Sequence, residues 1–153
     1  MHILFVCSGN TCRSPLAEAL FRRFLAERGR QDIVVSSAGT GAYDGAPASE
    51  GAYLVALERG LDLGAHRARL LTPEIVTSAD LILAMSSGHV TRVQRLGGGE
   101  RVRLLGEYAG QEGAAAEVGD PFGFEVETYR RTLDQLERLL ATARDRLLAE
   151  GGA

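Results

Sequence analysis

The sequence predicts an α/β fold: a parallel sheet with helices on both faces. Three observations carry this expectation. Short apolar runs of strand-forming residues alternate with helical periodicities along the chain. The 153 residues suffice for a core of their own and read as one domain, 1–153. No internal repeat and no low-complexity linker interrupts them. Right-handed crossovers in such a fold bring the strand C-terminal ends to one edge, where ligands bind near the topological switch point.

His2 to Val6 reads as a buried strand. A helix follows from about Pro15 to Glu27, with Leu16, Ala19, Leu20 and Leu25 at helical spacing. Ser14 is its expected N-cap, Pro15 its first residue and Gly29 its stop. Ile33 to Ser37 is a second strand, and the Gly- and Ala-rich residues 38–48 read as loop. A helix covers about Ser49 to Arg59, and Gly60 to Leu71 is irregular. Thr72-Pro73-Glu74 opens a short helix, Asp80 to Met85 is a buried strand, and about Ser87 to Leu96 is helical until Gly97-Gly98-Gly99 breaks it. Arg101 to Leu105 is the fourth strand, 106–123 a loop, and about Glu125 to Glu150 a long amphipathic helix.

Composition excludes several classes. Hydrophobic content of 45% and charged content of 24% match a soluble globular chain. A net charge of −3 leaves no basic footprint, so nucleic acid is not an expected partner. No apolar run approaches the roughly 18 residues a bilayer span needs, so no membrane association is expected. Met1 leads into a strand without a basic segment, which argues against a signal peptide and for a cytoplasmic location. Cys7 and Cys12 lie too close together to staple distant segments and fit catalytic or redox use better. Without a nearby His pair they make a poor zinc site, and neither a metal nor another cofactor is expected. All 17 basic residues are Arg, an observation with no mechanistic content here.

The chemistry concentrates between the first strand and the first helix: Cys7, Ser8, Gly9, Asn10, Thr11, Cys12, Arg13 and Ser14. Short polar residues and Gly let successive backbone N–H groups turn inward as an anion-binding nest. The helix N-terminus adds its positive dipole end, and Arg13 adds a planar fork of donors matched to phosphate oxygens. Cys7 stands at the mouth of this cradle, where a positive field favours the thiolate and aims it at phosphorus. Ser14 is placed to donate a hydrogen bond to that thiolate, and Asn10 tolerates the left-handed backbone that so sharp a loop needs. The GxGxxG and GxxxxGK[ST] patterns of nucleotide-binding loops are absent. A buried cysteine at a strand end is common. Cys, five residues, then Arg-Ser at a strand-to-helix junction is far less so.

The stretch FVCSGNTCRSPLAEALF resembles the phosphate-binding loop of the low-molecular-weight protein tyrosine phosphatases. SSAG at 36–39, GLDLGAHRARLLT at 60–72, SADLILAM at 78–85 and DPFG at 120–123 extend the resemblance along the chain. It implies a flavodoxin-like three-layer sandwich with a four-stranded parallel sheet and a cysteinyl-phosphate intermediate. It also implies phosphorylated protein or peptide substrates, with inorganic phosphate as product and inhibitor. Asp120 of the Asp-Pro pair would be the general acid that later activates water; on the residues alone, Asp120-Pro121 is a turn. Ser37 and His66 would hydrogen-bond Asn10 and hold the cradle's shape. His2 and His89 receive no role.

Phe122 and Phe124 follow the acid, and Tyr43 lies in the variable loop; these are the expected specificity rim, or else loop anchors. Cys12 is spaced to form a reversible disulfide with Cys7 that would shield the nucleophile from overoxidation, or is a small loop residue. Thr11 bears on substrate. Many members carry an aliphatic residue there, whereas a bacterial branch resembling this chain in CSGNTCRSP, SADLILAM, LGEYAG and DPFG carries Thr and acts on phosphoarginine. A Thr hydroxyl can hold a water or a guanidinium N–H. Ser86-Ser87-Gly88 and Gly97 to Gly99 depart from that branch, and Phe124 adds an aromatic suited to a phosphotyrosine ring. Phosphoarginine is slightly favoured, with phosphotyrosine as the alternative. An arsenate reductase relaying a disulfide would need further cysteines, and none follows Cys12. A catalytically silent phosphate-binding module would have lost the Cys, the Arg or the acid, and all three are present.

Overall fold

The computed structural model describes residues 1–151. Its elements are β1 (His2–Cys7), α1 (Arg13–Ala26), β2 (Val34–Gly39), α2 (Glu50–Glu58), α3 (Pro73–Ser78), β3 (Leu81–Ala84), α4 (Ser87–Arg95), β4 (Val102–Leu104), α5 (Leu105–Tyr108) and α6 (Val126–Glu150). The four strands form one parallel sheet in the order β2-β1-β3-β4. Alternate residues of β1 enter two separate cores. Ile3, Phe5 and Cys7 pack with α1, α2 and α6, while Leu4 and Val6 pack with Val76 of α3 and Val93 of α4. β1 is therefore the central, doubly buried strand, which is why its sequence is apolar without alternation. This is the α/β sandwich expected from the sequence.

β2 is an edge strand, and its outward carbonyls are covered by arginines. Arg22 Nη2 donates to Val35 O at 2.8 Å and Arg69 Nε to Ser37 O at 2.8 Å. Satisfying these acceptors removes a template for edge-to-edge pairing.

Three expectations are corrected. α1 begins at Arg13 rather than Pro15, because the Leu16 N–H already closes a turn on Cys12 O at 3.2 Å. Ser14 is thus not the N-cap, and its hydroxyl is free for Cys7. β2 continues through Gly39, so SSAG is a strand end rather than partly loop. Residues 106–123 are not all loop: α5 occupies Leu105–Tyr108 and a short 3-10 helix Gly113–Ala116. Four-residue helices carry too little periodicity to be read from sequence.

Candidate active site

Cys7 is the last residue of β1, and the chain then turns through Ser8 to Cys12 into α1. Asn10 makes this turn possible with φ of 56°, the single non-glycine residue with positive φ among those described. The carbonyls of the loop are committed outward. Cys7 O and Ser8 O accept from Thr40 N and Gly41 N at 2.9 Å each, and Thr11 O accepts from Ser49 N at 2.9 Å. Asn10 O accepts from His66 Nε2 at 2.7 Å. With the oxygens tied back, the intervening N–H groups are left to face the opposite side as an anion nest. Gly39 makes the bracing contact possible: a Cβ there would lie 2.4 Å from Ser8 O and 2.8 Å from Asn10 N.

Asn10 is fully buried and anchors a directional chain of hydrogen bonds. Its Oδ1 accepts from Arg69 N at 2.9 Å, which fixes the amide orientation. Its Nδ2 then donates to Ser37 Oγ at 2.9 Å and to Ser14 Oγ at 2.8 Å. Ser37 Oγ passes its own hydrogen to Glu18 Oε1 at 2.6 Å. Ser14 Oγ, already accepting from Asn10, turns its hydrogen toward Cys7 Sγ at 2.9 Å. The Asn10 N–H is 3.3 Å from the same sulfur. Both contacts place donors on Sγ, the arrangement that stabilises a thiolate. Ser37 and His66 thus meet Asn10 as expected from sequence, one at its side chain and the other at its carbonyl. Glu18, at the far end of the chain of bonds, was not expected. The signal was the Ser14, Glu18, Arg22 spacing, which puts all three on one helical face; Arg22 pairs with Glu18 at 2.7 Å.

Arg13 is 5% exposed. Its Nη1 donates to Val118 O at 3.0 Å, while Nη2 lies 3.5 Å from Ser8 Oγ and 3.7 Å from Asp120 Oδ2. Its Nε is buried without a protein acceptor, a donor that a bidentate oxyanion would satisfy. Asp120 sits on a turn: Oδ1 accepts from Phe122 N at 3.0 Å, and Phe124 N donates to Pro121 O at 3.0 Å. Its carboxylate is half-exposed, in reach of solvent as well as of Arg13.

Cys7, Ser8, Gly9, Thr11, Cys12, Arg13 and Asp120 line one cleft of about 460 Å³. The exposed Tyr43 and Phe122 form its rim, and Thr40, Gly41 and Ala46 complete its lining; these last three lie in the Gly- and Ala-rich loop, which offered no chemical signal. Phe124 does not line the cleft, although it is 66% exposed. Cys7 and Cys12 are both free and buried, and Cys12 Sγ contacts Ser49 Oγ at 3.1 Å and Tyr129 Oη at 3.6 Å. Among the described residues no three metal-ligating side chains gather.

Two histidines without a sequence assignment find places. His2 contacts Ser78 O and Ser36 Oγ and straps β1 to its neighbours. His89 is 7% exposed, at the start of α4, and contacts Ser8 Oγ at 2.9 Å and Ser86 Oγ at 2.8 Å. Burial first, then the Arg13 charge, push its pKa down to about 4 against the weaker pull of Glu117 and Asp120.

Known proteins match this chain along nearly its whole length. The family described as low molecular weight phosphotyrosine protein phosphatase matches residues 2–151. The protein-arginine-phosphatase of Bacillus subtilis is 42% identical over 142 residues, 92% of each chain. The low molecular weight protein-tyrosine-phosphatase PtpB of Staphylococcus haemolyticus is 35% identical, over 94% of this chain and 98% of its own. A solved structure of YwlE arginine phosphatase, a cysteine-to-serine mutant with a phosphorylated active-site serine, superposes with a TM-score of 0.87 at 40% identity, covering 96% of this chain and 95% of its own.

Proposed function

The chain belongs to the low molecular weight phosphotyrosine protein phosphatase family, and from that premise we propose that Cys7 is its nucleophile, Arg13 its transition-state clamp and Asp120 its general acid. It is a hydrolase of phosphorylated proteins. The observation that carries the assignment is a Cys7 Sγ receiving donors from Ser14 and Asn10 in the cleft that Arg13 and Asp120 share.

The nest and Arg13 hold the substrate's phosphoryl oxygens with Sγ opposite the leaving group. The sulfur lone pair forms the S–P bond as the bond from phosphorus to the leaving atom breaks, and Asp120 gives that atom its proton. The carboxylate so formed takes a proton from water, whose oxygen attacks the cysteinyl phosphate. Inorganic phosphate leaves, and the electron pair returns to Sγ under the Ser14 hydroxyl. Charge spread over the equatorial oxygens is met by Arg13 and backbone N–H groups. As product, phosphate competes for the same cradle. Under peroxide, Cys7 and Cys12 form a disulfide that protects the nucleophile. Two free thiols fit a reducing, cytoplasmic setting.

Phosphoarginine in proteins is the favoured substrate. Thr11 puts a hydroxyl in the cleft that can meet a guanidinium N–H, and Phe124, the aromatic that would favour phosphotyrosine, stands outside it. The similarity to proteins named arginine phosphatases supports the same reading. Phosphotyrosine is the alternative, supported by Tyr43 and Phe122 at the rim and by relatives named tyrosine phosphatases. The test compares wild type, Cys7→Ser and Thr11→Ile on matched phosphoarginine and phosphotyrosine peptides. Cys7→Ser is expected to turn over neither; retained turnover would remove Cys7 as nucleophile. Thr11→Ile is expected to lower the arginine-to-tyrosine ratio of kcat/KM by about ten-fold, the worth of one well-placed hydrogen bond. An unchanged ratio would overturn the use of Thr11.

A further inference from the structure

We propose that His89 is a positioning residue for the phosphate-binding loop: it fixes the Ser8 hydroxyl and, through Ser8, the Arg13 guanidinium. The inference rests on the phosphatase reading of the cleft and adds to it a residue from outside the loop.

The placement follows from the sheet order. α1 covers one face of the sheet and α4 the other, so the chain leaves β1 and β3, which are neighbours, toward opposite sides. Their C-terminal ends therefore part at a crevice, the position where open α/β sheets bind ligands. Ser8 follows β1 and His89 follows β3. Their 2.9 Å contact, between residues 81 apart in sequence, ties the two sides of the crevice together.

The hydrogen-bond directions form one consistent chain. A guanidinium can only donate, so the 3.5 Å contact of Arg13 Nη2 with Ser8 Oγ uses a serine lone pair. The Ser8 hydrogen is then available to His89 Nε2. A ring that accepts at Nε2 carries its hydrogen on Nδ1, where Ser86 Oγ lies at 2.8 Å. This order requires a neutral ring. A protonated one would turn an N–H onto Ser8 Oγ and set a second cation beside Arg13. The depressed pKa of the buried ring keeps it neutral at neutral pH.

Arg13 needs this support. Nη1 is held by Val118 O, but among the described residues the Nη2 end meets Ser8 Oγ and the half-exposed Asp120 carboxylate at 3.7 Å. Asp120 is also assigned to the proton transfer and cannot serve as a fixed brace while its charge changes. A buried imidazole with both nitrogens engaged is a rigid one. A plain core role for the ring would be met by an apolar side chain and would leave the cleft indifferent to Ser8.

The experiment measures p-nitrophenyl phosphate kinetics, and inorganic phosphate binding by calorimetry, for His89→Asn, His89→Gln, Ser8→Ala and the Ser8→Ala/His89→Asn double variant. Asn reproduces the Nδ1 contact alone, whereas Gln extends an acceptor toward the Nε2 position. His89→Asn and Ser8→Ala are each expected to lower kcat/KM and weaken phosphate binding about ten-fold, the double variant no further, and Gln to recover at least about half of the loss on a logarithmic scale. The shape of the pH–rate profile is expected to stay that of wild type. Single variants within about two-fold of wild type, losses that add in the double variant, or Gln no better than Asn would each overturn the proposal. Should His89→Asn fail to fold, Ser8→Ala alone cuts the same chain from the exposed side, and wild-type behaviour there is equally fatal. Phosphate binding separates this proposal from the reading beneath it. A wild type that hydrolyses nothing, but whose phosphate binding still depends on His89, would sink the phosphatase assignment and uphold this one.

Discussion

A general acid matters most where the leaving group is the strongest base, and that separates Asp120 from the other charged groups of the cleft. In the proposed mechanism Arg13 and the backbone donors act on the phosphoryl oxygens, which every substrate shares. Asp120→Ala is therefore expected to lower kcat/KM by about 10²–10³ for a phosphoarginine peptide and by far less for p-nitrophenyl phosphate, whose phenolate leaves unaided. A loss equal for both would remove Asp120 from proton transfer. The residues to which we assign the chemistry stand out in the sequence because Cys7, Arg13 and Ser14 fall within one short loop, and a resemblance attaches Asp120 to them. Glu18 and His89 were not legible. Their contacts with Ser37 and Ser8 span 19 and 81 residues of sequence; the Ser14, Glu18, Arg22 spacing puts Glu18 on one helical face with Ser14, but nothing local to either residue names the distant partner.

At the scale of elements, the cradle is shaped by what lies behind it. β2 ends at Gly39 directly beneath the loop, and the next two residues donate Thr40 N and Gly41 N to the loop carbonyls. Because a peptide N–H points away from its own carbonyl, those two bonds turn the Ser8 and Gly9 amides to the opposite side of the loop. A methyl group on Gly39 would meet backbone, not a flexible side chain, at 2.4 and 2.8 Å. Gly39→Ala is thus expected to destabilise the fold by about 1–3 kcal/mol, as overpacking does, while weakening phosphate binding by ten-fold or more. Calorimetry at a temperature well below unfolding checks this, and wild-type affinity in a folded Gly39→Ala protein would show that the bracing bonds do not set the nest. The strands and long helices were readable from periodicity, as the 25 residues of α6 illustrate with Leu133, Leu136, Leu140, Ala143 and Leu147 buried on one face. The end of β2 was not readable, since the Gly that closes the strand against the loop looks locally like the start of a turn. The start of α1 was misread for a related reason. Ser14-Pro15 matches a capped helix start, but the loop geometry begins the helix two residues earlier and spends the Ser14 hydroxyl on sulfur.

Across the whole molecule the helices pack in two separate cores on opposite faces of the sheet, and His89 stands where the β1 and β3 connections part. Its ring is neutral in the folded protein down to about pH 4, whereas an exposed histidine in the unfolded chain titrates near its ordinary 6.5. Between those values the unfolded state binds more protons than the folded state. Stability therefore rises with pH across this window and is lost as pH falls from 6.5 toward 4, below which the contribution levels off. The charges facing the ring are Arg13, which opposes protonation, and Glu117 and Asp120, which favour it; the buried ring's desolvation outweighs them all. The full shift corresponds to on the order of 2–3 kcal/mol after allowance for solvent that reaches the ring and weakens its desolvation. Carboxylates elsewhere in the chain also titrate toward pH 4, so the quantity to measure is a difference. Denaturant unfolding of wild type and His89→Asn at matched pH values from about 7 to 4 should show wild type losing the larger share of its stability, with the two curves converging on acidification. Parallel curves would mean that the His89 ring charges in place without strain, and that the crevice between β1 and β3 is open enough to hydrate it.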